Sequence, residues 1–418
     1  MNENFHWAIF LSNNSNKQLF IQELLGRKAS GKLSEFNGYK GMLFSDLLIN
    51  EIIEEEYRHD RVEVATDVNR SLRFLSGGEQ RKALLQYCLS KQPDYLILDN
   101  PFDNLDITSQ QSLREILQEV ANHTSIIQLI HRTSDALNFI SNAISIDDNN
   151  VIVYHKSIKE YLDQPTINAV FHSILPPPIH AFTLENKTLV SLTSVSVSYG
   201  EKAILKDINW KIKTGEFWQL IGPNGSGKTT LLSMIIGDNP QGYGQELFLF
   251  GRKKGSGESV WDIKDKIGYF TASMTDLFNK YHTVEHMIIS GFLDSIGLYL
   301  LPSDLQLKLA DEWLSLIHMA DLKHTLFSNL SLGQQRMVLI ARAMVKHPPL
   351  LILDEPTSGL DDANALLVAS LINKIAAESK TTIVYVSHRK EEGLAPQLIF
   401  ELVSTKEGSV GNIRKQNN

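Results

Sequence analysis

Apolar positions along this chain come in short bursts. His6–Phe10, Asp94–Asp99 and Thr124–Ile130 in the first half, and Phe217–Ile221, Leu350–Asp354 and Thr382–Val386 in the second, are near-continuous apolar runs. That pattern predicts strands buried on both faces, as in a parallel sheet. Residues 189–199, LVSLTSVSVSY, alternate apolar and polar and predict a half-buried strand. Helical spacing follows Leu75 over residues 75–90, and returns in Leu47–Ile53 and Val284–Ser290; residues 240–330 predict a helix-rich insert. Alternating strands and helices imply a doubly wound α/β core. No apolar run reaches the roughly 18 residues that a membrane span requires.

The pattern occurs twice. Residues 75–106, LSGGEQRKALLQYCLSKQPDYLILDNPFDNLD, align without a gap on residues 330–361, LSLGQQRMVLIARAMVKHPPLLILDEPTSGLD. Ser76 meets Ser331, Arg81 meets Arg336 and Asp99 meets Asp354 at one offset. Two homologous halves follow: residues 1–155, a linker over 156–188 stiffened by Leu175-Pro176-Pro177-Pro178, residues 189–411, and a tail over 412–418. The stretch before Ser76 is shorter than the one before Ser331, so the first half lacks part of the intervening subdomain.

Composition narrows the picture. The chain has 418 residues, a formal net charge of −8 and one cysteine. The acidic balance argues against an extended nucleic-acid footprint. Cys88 has no partner for a disulfide, which fits a reducing, cytoplasmic setting and a small buried helix residue. The N-terminus has no basic and apolar leader pattern.

The chemistry is concentrated after Phe217–Ile221. Gly222, Pro223, Asn224, Gly225, Ser226, Gly227, Lys228, Thr229 and Thr230 fit a phosphate loop between a strand and a helix, with no mismatch. Glycines let backbone N–H groups wrap a phosphate, and the helix that follows points its positive end at the same anion. Lys228 can reach the β- and γ-phosphates of ATP, and the Thr229 hydroxyl can ligate Mg²⁺.

This loop, the Leu-Ser-Gly-Gly signature, an apolar strand ending in Asp354-Glu355, Gly359-Leu360-Asp361 and a strand ending in His388 resemble, in order, the motifs of ATP-binding-cassette (ABC) ATPases. Segments such as Gly237–Tyr243, Gly255–Glu258, Trp261–Lys264 and Ser290–Tyr299 resemble the ModF or photorepair branch, tandem cassettes named after molybdate transport. The resemblance implies two P-loop ABC nucleotide-binding domains in tandem, each a parallel-sheet core with a helical subdomain, the first truncated. It implies that Tyr199 stacks on adenine, although a surface strand tyrosine is the alternative. Asp354 is implied as the acid on the Mg²⁺ side, through water, Glu355 as the carboxylate that deprotonates the attacking water, and His388 as a contact to the γ-phosphate.

In such ATPases the signature of one domain caps the nucleotide held by the other, so the resemblance implies head-to-tail pairing of the two halves. One composite set is complete: the second half's loop, Asp354, Glu355 and His388 with Ser76, Gly77, Gly78 and Glu79 of the first. The other is degenerate. It takes Lys17, Asp99, Asn100 and His131 with Ser331 and Gly333, Leu11 and Asn16 replace glycines, Gln18 replaces the hydroxyl residue, and Leu332 replaces a signature glycine. Asn100 stands where Glu355 stands, and a neutral amide cannot take the water's proton. No glutamine follows Ile267–Phe270, where the family has one; Ala272 or Ser273 occupies the place. That residue relays the nucleotide state to a permease. The expected task is therefore ATP hydrolysis at one site, driving separate membrane permease subunits from the inner membrane face, or, alternatively, acting on a soluble partner as a regulator or repair factor.

Overall fold

The computed structural model describes residues 5–59, 71–163, 171–183, 186–278, 281–298, 300–388 and 391–415. Linker residues 164–170 and 184–185, Tyr299 and tail residues 416–418 lie outside these. The chain forms two compact units, residues 1–167 with 359–363, and residues 168–358 with 364–418.

The first unit is built on β1 (Trp7–Leu11), β2 (Gly41–Phe44), β3 (Tyr95–Asp99), β4 (Ser125–Ile130), β5 (Asn142–Ile146) and β6 (Ile152–His155). They form one sheet in the order β2-β3-β4-β1-β5-β6, parallel except for β6. Helices α1 (Lys17–Leu25), α2 (Asp46–His59), α3 (Gly77–Ser90) and α4 (Ile107–Val120) accompany it. Because both faces are covered, β1, β3 and β4 are apolar on both sides. Ala8, Leu96 and Leu98 join a core with Leu84 of α3 and Leu113 of α4, whereas Ile9, Ile97 and Ile127 join one with Phe20 of α1 and Phe36. Cys88 is fully buried in α3, and burial pushes its thiol up to about 12, an inert small core residue.

The second unit repeats this sheet. Strands β7 (Thr188–Tyr199), β8 (Lys202–Lys213), β9 (Phe217–Ile221), β10 (Leu247–Leu249), β11 (Arg252–Lys253), β12 (Ile267–Thr271), β13 (Leu350–Asp354), β14 (Thr382–Val386), β15 (Leu398–Val403) and β16 (Val410–Lys415) make two sheets. The larger has the order β12-β13-β14-β9-β15-β16, position for position the order of the first unit; β7, β8, β10 and β11 make a separate antiparallel sheet. Trp210 of β8 stacks on Phe400 of β15 with ring centroids 4.3 Å apart, one of the contacts that join the two sheets in one core. Among the described residues the first unit has no such second sheet.

The repeat extends to backbone detail. Left-handed residues recur 255 positions apart: Gln92 and His347, Asn100 and Glu355, Asn104 and Gly359. Both signature helices, α3 and α11 (Leu332–Met344), start in a capping box, Ser76 with Glu79 and Ser331 with Gln334.

Four expectations gain detail. The stretch 240–330 is not uniformly helical. Leu247–Leu249 pairs with β7, and β12 enters the main sheet beside β13. Helices α6 (Lys228–Ile236), α7 (Val260–Lys264), α8 (Met274–Leu277), α9 (Val284–Ser290) and α10 (Asp304–Leu316) flank these strands. Strands of two to five residues carry too few alternations to be read from period alone. The helix expected over 47–53 runs as α2 from Asp46 to His59.

The stretch expected as linker carries an element of its own. Within it α5 (Ile158–Leu162) docks on the first unit, with Tyr161 stacked on Phe10 at 4.0 Å. Phe171 stacks on His318 in the second unit, and the Leu175 N–H donates to Glu378 Oε2 at 3.0 Å. The tail, lastly, begins within a strand, since β16 pairs with β15 up to Lys415. The last helix, α12 (Asp362–Glu378), begins in the short stretch 359–363 that clusters with the first unit.

Candidate functional site

Strand β9 delivers the chain into the glycine loop, and α6 leaves it. Gly225 and Gly227 have φ of 75° and 93°, which only glycine adopts freely, and Gly227 is the N-cap of α6. A Cβ at Gly222 would lie 2.7 Å from Ser226 Oγ and 2.9 Å from the Leu402 carbonyl, so the loop is pressed against β15. Lys228 Nζ donates to the carbonyls of Gly222 (2.7 Å) and Pro223 (3.1 Å). Ser226 Oγ is buried and has no hydrogen-bond partner among the described residues.

Parallel pairing of β13 with β14 brings the next groups to the same sheet edge. Asp354 closes β13. Glu355 follows at φ 51°, a left-handed conformation rare for a residue with a Cβ, and its N–H donates to the Val386 carbonyl at 3.0 Å. Beyond β14, His388 is buried, and its Nδ1 lies 3.1 Å from Glu355 Oε1. His388 Nε2 is buried and without a partner among the described residues.

A cavity of about 470 Å³ joins these parts. Asn224, Gly225, Gly227, Lys228, Thr229 and Thr230 line it from the loop, Asp354 and Glu355 from β13, Thr271 and Ala272 from the end of β12, and Lys202 and Ile204 from β8. Its size is that of a small-molecule site. Loop amides at a helix N-terminus, a lysine, a threonine hydroxyl and two carboxylates form a donor set that fits a nucleotide triphosphate with a divalent cation.

Tyr199 stands beside this lining and not in it. It is half exposed at the end of β7, and its Oη accepts from Asn239 Nδ2 at 2.9 Å. It does not line the cavity, whereas its cross-strand neighbour Lys202 does. Sequence reading passed over Lys202 because a lone strand lysine carries no signal; the hairpin from Tyr199 to Lys202 was the available clue.

The acid pair is electrostatically tense. Burial and the neighbouring Glu355 carboxylate raise Asp354 to about 6, against the pull of Lys228. A carboxyl raised in the folded state contributes stability that is present below the unfolded value and lost as pH rises through the folded one. Asp354→Asn is therefore expected to raise the thermal midpoint of the nucleotide-free protein at pH 8, by an amount equivalent to roughly 2–3 kcal/mol, with the gain gone near pH 4. Thermal unfolding across that range reads it; a gain independent of pH would show that the carboxylate charge is not the cause.

In the first unit the homologous loop is closed by its own neighbours. Leu11 is buried, and Asn16 caps α1 while its N–H donates to Asn150 Oδ1. Lys17 Nζ pairs with Asp99 Oδ1 at 2.9 Å. The Asn13 N–H donates to Asp361 Oδ2 and the Asp361 N–H to Asn13 Oδ1, both at 2.9 Å, while Asn13 Nδ2 donates to the Gly359 carbonyl at 2.8 Å. His131 Nδ1–H donates to the Leu11 carbonyl at 2.9 Å. Asn100 Nδ2 donates to Asp99 Oδ1 at 3.2 Å. The N–H groups of Asn13, Asn16 and Leu19 and the Lys17 ammonium are thus already engaged.

The signature residues sit at helix starts. Ser76 N–H and Oγ–H both donate to Glu79 Oε2 (2.7 and 2.6 Å), so Glu79 serves as the capping carboxylate of α3. Gly77 and Gly78 are the first residues of α3, and Ser331 with Gly333 opens α11.

The ABC transporter family profile matches residues 205–358. The ABC transporter ATP-binding protein ModF of Escherichia coli is 40% identical over 343 residues, 78% of this chain and 69% of that protein. An uncharacterized ABC transporter ATP-binding protein of Schizosaccharomyces pombe is 32% identical over 327 residues, 77% of this chain and 66% of that protein. Among solved structures, the RNase-L inhibitor superposes with a TM-score of 0.63 over 97% of this chain and 85% of its own, at 17% identity, which shows the fold alone. Among the described residues no helix is long and apolar enough to cross a membrane.

Proposed function

Since the chain belongs to the ABC ATPases, as a tandem ATP-binding protein of the ModF type, we propose that it hydrolyses ATP at one competent site and serves as the ATP-binding component of a transport system for a molybdate-like anion. The observation that carries the single-site reading is the contrast between Glu355, beside His388 at the cavity, and its repeat partner Asn100, an amide.

In this reading the loop amides of Gly222–Thr230 and Lys228 bind and orient the phosphates. Thr229 and, through water, Asp354 would hold Mg²⁺, which supplies charge neutralisation at the β- and γ-oxygens. Glu355 takes the proton of the attacking water. His388 holds Glu355 through Nδ1–H, and Nε2 donates to a γ-phosphate oxygen when it carries a proton as well. Ser76, Gly77, Gly78 and Glu79 of the first half complete the site by head-to-tail pairing, and Tyr199 or Lys202 meets the base and ribose side. Lys17, Asp99, Asn100, His131, Ser331 and Gly333 belong to the pair that does not turn over.

The engaged donors around Asn13, Asn16 and Lys17 support a further expectation: the degenerate site takes no nucleotide. Equilibrium dialysis of Glu355→Gln protein with radiolabelled ATP should saturate at one nucleotide per chain, and two per chain would refute this.

A second reading is favoured by Thr271 and Ala272, which line the cavity where the family's glutamine would couple to a permease. An ATPase without that relay acts on a soluble partner, as a regulator or repair factor. The two readings separate on one experiment. Tagged Glu355→Gln protein, loaded with ATP, is used to recover partners from cytoplasmic and membrane fractions of native cells. Integral membrane subunits support transport at the inner membrane face; soluble proteins alone overturn it.

A further inference from the structure

The nucleotide cavity has one more oxygen beside its acid pair. Strand β12 ends at Thr271, which lines the cavity and lies directly opposite Asp354 in the parallel register of β12 with β13. Paired residues on neighbouring strands, about 4.8 Å apart, point to the same face of the sheet. Tyr269, two positions earlier, shares that face. Burial and the Asp354 carboxylate push its phenol up to about 12, which places Asp354 on the Tyr269 and Thr271 side of the strand.

The end of β12 is held from behind. Arg336 Nη1 of α11 donates to the Ala272 carbonyl at 2.8 Å and to Thr275 Oγ1 at 2.7 Å, and its guanidinium stands 5.5 Å from the Phe270 ring centroid. Branching at Cβ restricts the Thr271 side chain further. Its hydroxyl is only loosely engaged: Ser273 Oγ lies 3.4 Å away, at the long end for such a bond. A hydroxyl has one donor and two lone pairs, so an acceptor position is left over.

The first unit uses the same position differently. Phe44 lies opposite Leu98 as Phe270 lies opposite Leu353, and Leu98 and Leu353 are repeat partners, so Ser45 corresponds to Thr271. Ser45 is fully buried, and its Oγ accepts from the Leu48 N–H at 3.2 Å at the start of α2. That hydroxyl is consumed by the fold. The Thr271 hydroxyl faces a cavity.

We propose that Thr271 is a further cation-side residue of the ATP site, its hydroxyl accepting a hydrogen bond from a water of the divalent cation that Thr229 and Asp354 would hold. The inference rests on the ATPase reading above. A neutral oxygen suits the place, because a third carboxylate would add to the repulsion between Asp354 and Glu355.

The test is Mn²⁺ binding to the full chain with the non-hydrolysable analogue AMP-PNP, followed by the paramagnetic resonance of the free ion. The wild type should bind Mn²⁺ in a nucleotide-dependent way. Thr271→Val, the same shape without the hydroxyl, should bind it about tenfold more weakly, the loss of one hydrogen bond. Thr271→Ser keeps the hydroxyl and should stay within about threefold of the wild type, the cost of freeing one torsion among three wells. With EDTA present, all three proteins should bind AMP-PNP alike. The Mg²⁺ concentration for half-maximal phosphate release should rise in Thr271→Val by the same factor as the Mn²⁺ constant, with turnover recovered at saturating Mg²⁺. Equal Mn²⁺ affinity in the wild type and Thr271→Val, an equal loss in Thr271→Ser, or weakened metal-free nucleotide binding in Thr271→Val overturns this role. No nucleotide-dependent Mn²⁺ binding by the wild type overturns the ATPase reading itself, and this inference with it.

Discussion

Glu355→Gln is expected to lower ATP turnover by roughly 10²–10⁴-fold, the range for loss of a positioned base, while ATP remains bound. The substitution is nearly isosteric. A glutamine oxygen can still accept from His388 Nδ1 at the observed 3.1 Å, and the left-handed backbone at φ 51° is already adopted by a side chain of this length. What disappears is the capacity to take a proton. Asn100→Ala, at the repeat position, should change turnover little, because Asn100 already lacks that capacity. Steady-state phosphate release with nucleotide binding on the same samples reads both. Comparable losses in the two variants would show that the halves contribute equally and would remove the single-site reading.

Gly227→Ala should weaken ATP binding about tenfold or more. At φ 93° an added Cβ is strained by roughly 1–2 kcal/mol, and it would stand 2.7 Å from Leu205 Cδ2 and 3.0 Å from Ile204 Cγ2. Gly227 caps α6 at the mouth of the cavity, so relief of that strain rotates the first N–H groups of the helix away from the phosphates. Titration with a fluorescent ATP analogue gives the affinity, and circular dichroism verifies the fold. Wild-type affinity in a folded variant would mean that the loop amides do not carry the binding. The contrast with the first unit is informative. There Asn16 occupies the same position at φ −81° and caps α1 with its side chain, a stable helix start whose backbone N–H turns to Asn150 instead of outward.

Much of the architecture was legible along the chain. The runs Phe217–Ile221, Leu350–Asp354 and Thr382–Val386 are β9, β13 and β14 to the residue, and Val284–Ser290 is α9. They are legible because a strand buried on both faces and a tightly packed helix impose their own local periods. The ungapped repeat announced two sheets of one order, and the glycine loop announced an anion cradle, since backbone amides can face a phosphate only where side chains are absent. Conversely, β10 and β11 are too short to show a period, and α5 lies where proline and polar residues suggested a spacer.

The amino-acid sequence by itself determined which groups this protein has for chemistry: Lys228, Thr229, Asp354, Glu355 and His388 on one side, and Lys17, Asp99 and Asn100 on the other. Tertiary structure decided which of them are available. Asn13 meets Asp361 across 348 positions and Asn16 meets Asn150 across 134, contacts that no local pattern encodes. Arg342 is an ordinary helix arginine in sequence, and becomes a buried cation held by Ser290 and the Phe278 ring only once α11 packs against them. Local periods follow from the geometry of one helix or strand; burial, charge pairing and donor occupancy follow from which elements meet, and only the folded chain fixes that.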